Sequence, residues 1–149
     1  MPSVGQTRAP VATAKVPKIE LATIKEGVKL ISALMTVADK QGDKDGRVSK
    51  QELGELLDNY GDGASLDKAL TLVHKYAEVG TGENPKRADI NKALARAVNA
   101  ATKADKNKNG LLSPSERKKL IATWNAVVDF SVDYKGYGLN DILHPSNGP

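Results

Sequence analysis

Between residues 18 and 133 the apolar positions recur at intervals of three and four, the spacing that gathers side chains on one face of an α-helix. Leu21, Ile24, Val28, Ile31, Met35 and Ala38 form the first stripe and predict a helix from about Lys18 to Asp39. Gly27 lies within it and weakens the helix by roughly 1 kcal/mol relative to alanine. A second helix is predicted from about Ser49 to Asn59, where Tyr60-Gly61-Asp62-Gly63 stops it. A third begins at Ser65, which is expected to cap it, and carries Leu66, Leu70, Val73 and Ala77 on one face. His74 stands beside that face and reads as a packing or surface residue rather than a ligand. Beyond a breaker at Gly80-Thr81-Gly82-Glu83-Asn84-Pro85, a fourth helix runs from about Lys86 to Lys103 with Ile90, Leu94, Ala97, Val98 and Ala101 inward. A fifth is expected to run from about Pro114 to Asp133, presenting Leu120, Trp124, Val127 and Val128; Pro114 suits a first turn, where its missing N–H is not needed.

The flanks have no such period. Residues 1–17, with Pro2, Pro10 and Pro17, read as a disordered tail. Residues 134–149 read as a second tail in which Tyr137, Leu139, Ile142 and Leu143 are available to dock, and in which Asn140 is placed to cap one helical turn. His144 is assigned no function. The expected organisation is therefore an all-α domain over residues 18–133, of about five helices, between two tails.

At 149 residues the chain is sized for one domain. Aromatic residues make up only 4% of it, so the core must be built from Leu, Ile, Val and Ala. With no cysteine, disulfides, thiolate metal sites and thiol catalysis are excluded. The formal charge is +4, and the lysines are scattered, which argues against a nucleic-acid footprint. No run approaches the length of a membrane span, and the first residues lack the continuous apolar segment of a cleavable signal peptide, so a cytoplasmic location is expected.

What changes the picture is the segment Asp105–Glu116, D-K-N-K-N-G-L-L-S-P-S-E. Oxygen-bearing side chains fall at loop positions 1, 3, 5, 9 and 12 (Asp105, Asn107, Asn109, Ser113 and Glu116), with Gly110 at 6 and Leu112 at 8. A hard cation such as calcium takes 6–8 oxygens, and alternating oxygens around a glycine turn, closed by a glutamate, let one short loop supply most of them. A polar Asn/Gly turn rarely adds both the aliphatic at 8 and the glutamate at 12.

A second loop lies upstream. Counted from Gly46 at position 6, Asp43 and Asp45 take positions 3 and 5, Arg47 offers its carbonyl at 7, Val48 is at 8, Ser49 at 9 and Glu52 at 12. Position 1 is then Gln41, a neutral amide. In the other register Ala38-Asp39-Lys40 matches Ala104-Asp105-Lys106, Asp39 supplies the first carboxylate, and the loop is two residues longer. Both registers stand on sequence alone. The two loops form an internal repeat, since Glu52 and Glu116 are each followed four residues on by an aliphatic pair, Leu56/Leu57 and Leu120/Ile121. Ser49 with Glu52 and Ser113 with Glu116 also satisfy the capping-box pattern, which accounts for the glutamates locally but not for the Asp/Asn alternation before them.

Two helix–loop–helix units of this kind resemble the EF-hand superfamily over roughly Lys18–Asp133, most specifically at Asp105–Glu116. The resemblance implies an EF-hand-like pair with an additional central helix. It implies that Asp105, Asn107, Asn109 and Glu116 bind Ca2+ by side chain, Glu116 through both oxygens, Leu111 by its carbonyl and Ser113 directly or through water. Asp39 or Gln41, with Asp43, Asp45, Arg47, Ser49 and Glu52, would form the first site. Val48 and Leu112 would face each other in a short antiparallel pairing of the loops, and the segment from Gly80 to Asp89 would be a degenerate hand without metal. Only two carboxylates serve the second loop, so its affinity is expected at the weaker end of roughly 10⁻⁷ to 10⁻³ M.

The function expected is calcium binding, as a sensor with a narrow protein target or as a buffer; two methionines are too few for a promiscuous groove. The alternative is a basic helical protein that binds an acidic partner and keeps the loops as relics. Enzyme activity is not expected: the chain has two unrelated histidines and no nucleophile or phosphate-loop pattern.

Overall fold

The computed structural model describes residues 18–61 and 64–143. Its order is β1 (Ile19–Glu20), α1 (Leu21–Gln41), α2 (Lys50–Tyr60), α3 (Ser65–Thr81), α4 (Arg87–Ala104), β2 (Leu111–Leu112), α5 (Pro114–Arg117), α6 (Ala122–Asp133) and α7 (Leu139–Leu143). The fold is all-α apart from β1 and β2, with seven helices among the described residues where about five were expected. The expected tail at residues 1–17, and His144 with the rest of 144–149, lie outside them.

α1 is the central helix and packs on α6, α4 and α2, while α3 closes the bundle against α6 and α4. The stripes turn inward as their spacing requires: Ile24, Ile31, Met35 and Ala38 on α1, Leu66, Leu70, Val73 and Ala77 on α3, and Ile90, Leu94, Ala97 and Ala101 on α4 are buried. Each fully buried Ile, Leu or Val among them stabilises the fold by about 1.5–3 kcal/mol. Gly27 has a packing reason to interrupt α1. A Cβ there would overlap Ser131 Cβ and Oγ, so α1 and α6 cross with their backbones in close approach.

Two expectations about helices are corrected. Ile19–Glu20, placed at the start of the first helix, is a strand that pairs antiparallel with β2, Ile19 opposite Leu112 and Glu20 opposite Leu111. The Leu21 amide then donates to the Gly110 carbonyl at 2.9 Å, which ties the start of α1 to the second loop. Nor is Pro114–Asp133 one helix. It breaks after one turn, because Ile121 is extended (φ −70°, ψ 164°). The break is held by polar contacts: Asn125 Nδ2 donates to the carbonyls of Arg117 and Leu120, each at 3.2 Å. Arg117 returns bonds to Asn125 Oδ1 at 3.0 Å and Asp129 Oδ1 at 2.8 Å. Trp124 therefore sits on α6, its ring tilted at 54° to that of Tyr76 of α3 with 4.7 Å between centroids, and not on a helix continuous with Glu116. In addition, Ala64 rather than Ser65 occupies the N-cap of α3, and gives no side-chain cap.

The C-terminal segment docks. Ile142 of α7 is buried in the main core, Leu139 and Leu143 pack against it, and Tyr137 meets Tyr134 edge-on at 5.1 Å. Asn140 falls inside that helix rather than at its cap, and the bond closing its start runs from the Gly138 amide to Asp141 Oδ2.

Candidate metal centre

The first loop joins α1 to α2 and the second joins α4 to α5. The backbone of each makes the same sequence of unusual conformations. Lys44 and Gly46 in the first, Lys108 and Gly110 in the second, take positive φ (57°, 81°, 53° and 77°). For lysine that conformation is strained and has to be held by its surroundings.

What holds it is a web of amide–carboxylate bonds. In the second loop Asp105 Oδ2 accepts from Gly110 N at 2.8 Å and Asp105 Oδ1 from Asn109 N at 3.4 Å. In the first loop it is Asp39, not Gln41, whose carboxylate accepts from the position-6 glycine, Gly46 N, at 3.2 and 3.3 Å. The register anchored on Asp39 therefore describes the hydrogen bonding, with two residues more than the second loop. Both aspartates are buried, at 3% and 4% exposure. Gln41 is exposed at the end of α1, where its amide donates to the Tyr60 hydroxyl at 3.2 Å.

The glutamates close the loops. Glu52 Oε1 accepts from Ser49 N and Glu116 Oε1 from Ser113 N, at 2.9 and 2.8 Å; Ser49 Oγ and Ser113 Oγ accept in return from the glutamate amides. These are complete capping boxes. Capping leaves the second oxygens to explain. Glu52 Oε2 reaches back to Asp43 N at 2.9 Å and Glu116 Oε2 to Lys106 N at 3.0 Å, so each carboxylate spans its loop. These backbone donors hold Glu116 below the ordinary carboxylate pKa.

In the first loop four carboxylates converge. An oxygen from each of Asp39, Asp43, Asp45 and Glu52 lies within 4.8 Å of the others. Desolvation and the neighbouring Asp45 and Glu52 push Asp43 above its ordinary 3.8, while the Arg47 amide, donating at 2.9 Å, holds Asp45 below it. Arg47 is oriented outward by bonds to the Asn84 carbonyl and Glu83. Arg87 pairs with this cluster, its Nε 3.5 Å from Asp39 Oδ2.

The second loop has a different charge balance. Asp105 and Glu116 are its carboxylates, and Asn107, Asn109 and Ser113 are neutral donors. Its mouth is a cavity of about 390 Å³ lined by Lys18, Lys106, Asn107, Asn109, Ser113, Ser115, Glu116 and Lys119. Contact with the Lys106 amine lowers the pKa of Lys119.

The loops do not pair with each other, contrary to expectation. Val48 N donates to the Pro85 carbonyl at 2.9 Å, and Arg47 bridges antiparallel to Lys86, whereas Leu112 pairs with Ile19. Val48 lies in the main core and Leu112 in a separate cluster with Ile19, Ile24, Ala101, Ala104 and Val128. His74 is buried, and its Nε2 lies 2.7 Å from the Val48 carbonyl, so it braces the first loop. Arg87, Pro85 and His74 were not foreseen as supports of this loop. They approach it from 26 to about 50 residues away in sequence, and no local pattern marks them.

Compared with protein-family models, curated proteins and solved structures, the chain matches none.

Proposed function

We propose that this protein binds calcium through its two loops. The observation that carries the reading is the convergence of Asp39, Asp43, Asp45 and Glu52 around the Gly46 turn. Four carboxylate oxygens brought this close repel one another unless a cation or protons offset their charge, and an all-oxygen donor set suits a hard divalent cation. The donors fit calcium: Asp39, Asp43, Asp45 and Glu52 by carboxylate and Arg47 by carbonyl, with Ser49 at the ninth position. In the second loop Asp105, Asn107, Asn109 and Glu116 contribute side chains, Leu111 its carbonyl, and Ser113 the ninth position. The charge count reverses the order of the two loops. The irregular first loop carries four carboxylates and is the tighter site; the regular second loop carries two.

The shared turn conformations and the matching bonds from Asp39 and Asp105 support reading the loops as EF-hand-type repeats. In this arrangement each loop is paired with a ligand-poor segment, residues 84–87 for the first and 18–21 for the second, rather than with the other loop. The segment before α4 then acts as the degenerate hand, and the role of metal-free partner extends to β1.

Both glutamates already lie across their loops. Uptake then requires little movement of α2 and α5, so we place the protein nearer to a buffer or a calcium-stabilised scaffold than to a sensor that opens a groove. Calorimetric titration tests the reading. The unaltered chain takes up two ions, Glu52→Gln loses the tighter and Glu116→Gln the weaker, and an apolar dye shows no calcium-dependent gain. Absence of heat at millimolar calcium in the unaltered chain contradicts calcium binding; a large dye response contradicts the buffer assignment alone.

A further inference from the structure

We infer that the second loop takes up calcium together with a doubly charged oxyanion of the sulfate or phosphate type, held by Lys18, Lys106 and Lys119; this rests on the calcium reading of that loop. The three lysines line the same cavity as Asn107, Asn109, Ser113, Ser115 and Glu116, at the mouth through which a ligand reaches the loop. Lys106 and Lys119 are exposed and line that cavity together although both are cations, and among the described residues none of Lys18, Lys106 and Lys119 forms a salt bridge. Glu116 is the acidic group in the lining, and its oxygens already accept from Ser113 N and Lys106 N.

The consequence is a linkage. While Asp105 and Glu116 carry free charge they partly offset the three lysines. Once those carboxylates are committed to a divalent cation, the lysines lose that compensation and the mouth becomes strongly positive. An oxyanion at the mouth restores that compensation, because bonds from ammonium groups to an oxyanion are charge-assisted and strong. The first loop has no such requirement, since four carboxylates surround it. Because binding linkage is reciprocal, the anion must tighten calcium by the factor by which calcium tightens the anion.

The experiment follows the amide resonances of Gly110 and Gly46 during calcium titration, since these amides donate to Asp105 and Asp39 and report the two loops separately. Titrations are run at equal ionic strength in chloride, in inorganic sulfate and with N-acetyl-O-phosphoserine amide. The expected result is that the dianions tighten calcium at Gly110 by about fivefold or more and leave Gly46 unchanged, and that Lys106→Gln/Lys119→Gln abolishes the gain. Tightening by sulfate and the phosphoserine compound alike identifies a free anion as sufficient; tightening by the phosphoserine compound alone identifies an esterified phosphate. Calcium binding at Gly110 with no dianion effect, or with an effect that survives in the double variant, overturns the inference and leaves the calcium reading intact. No response of Gly110 to calcium under any condition overturns both for this loop.

Discussion

Two residues carry charge and space in ways that yield direct tests. Asp43 sits beside Asp45 and Glu52, and its pKa is raised chiefly by desolvation and then by those neighbours. Protons therefore compete for it at higher pH than for an ordinary aspartate. The sign follows from linkage: the metal-free folded chain binds a proton at Asp43 that the unfolded chain has released, so this group favours folding less as pH rises through its raised pKa. Asp45 and Glu116, both lowered, act in the opposite direction, and their contribution is lost as pH falls through their depressed values. Calcium uptake by the first loop is accordingly expected to release protons as the pH is lowered toward the raised Asp43 pKa, and to weaken on acidification before the second loop does. Calorimetry in buffers of different ionisation enthalpy measures that release. The second residue is Gly27. An exposed Gly→Ala change inside a helix ordinarily stabilises by about 1 kcal/mol, but here the added methyl overlaps Ser131. Gly27→Ala is expected to destabilise by about 1–3 kcal/mol, read as a lower urea midpoint.

Among the elements, the short helix α5 and the break after it govern how the second loop is attached to the bundle. A continuous helix would have passed movement of Glu116 to Trp124. The structure interposes an extended residue, Ile121, and anchors Trp124 on Tyr76 instead. Asn125→Ala removes the donors to the Arg117 and Leu120 carbonyls and the acceptor for Arg117 Nε, and is expected to cost about 1–3 kcal/mol in thermal or urea unfolding. This break could not be read from the sequence, because Lys118, Lys119, Leu120 and Ile121 include no helix breaker and the apolar spacing continues across them. Helices α1, α3 and α4 were legible for the opposite reason: their burial follows a local period. Even there the start expected for the first helix misled, since Ile19 lies in β1 and pairs with Leu112.

For the whole molecule, α4 is the physical link between the two loops. Arg87 near its start pairs with Asp39 of the first, and Asp105 caps its end and begins the second. The residues proposed as loop ligands could be named from the sequence because they lie within a dozen or so residues of one another. The choice between Asp39 and Gln41 was not, since it depends on which carboxylate reaches the Gly46 amide in three dimensions. The loop partners were not legible either: Val48 meets Pro85 and Leu112 meets Ile19, contacts set by the packing of distant helices. The central claim, that a calcium ion is bound by the carboxylate cluster that Asp39 anchors, is tested most directly by calcium titration of Asp39→Asn beside Gln41→Ala. The account predicts that Asp39→Asn weakens the tighter site at least about tenfold, the loss of a charged ligand of roughly 1.4 kcal/mol or more, while Gln41→Ala leaves both sites within about twofold of the unaltered chain. An unaltered chain that takes up no calcium, or a loss that follows Gln41 rather than Asp39, would contradict it.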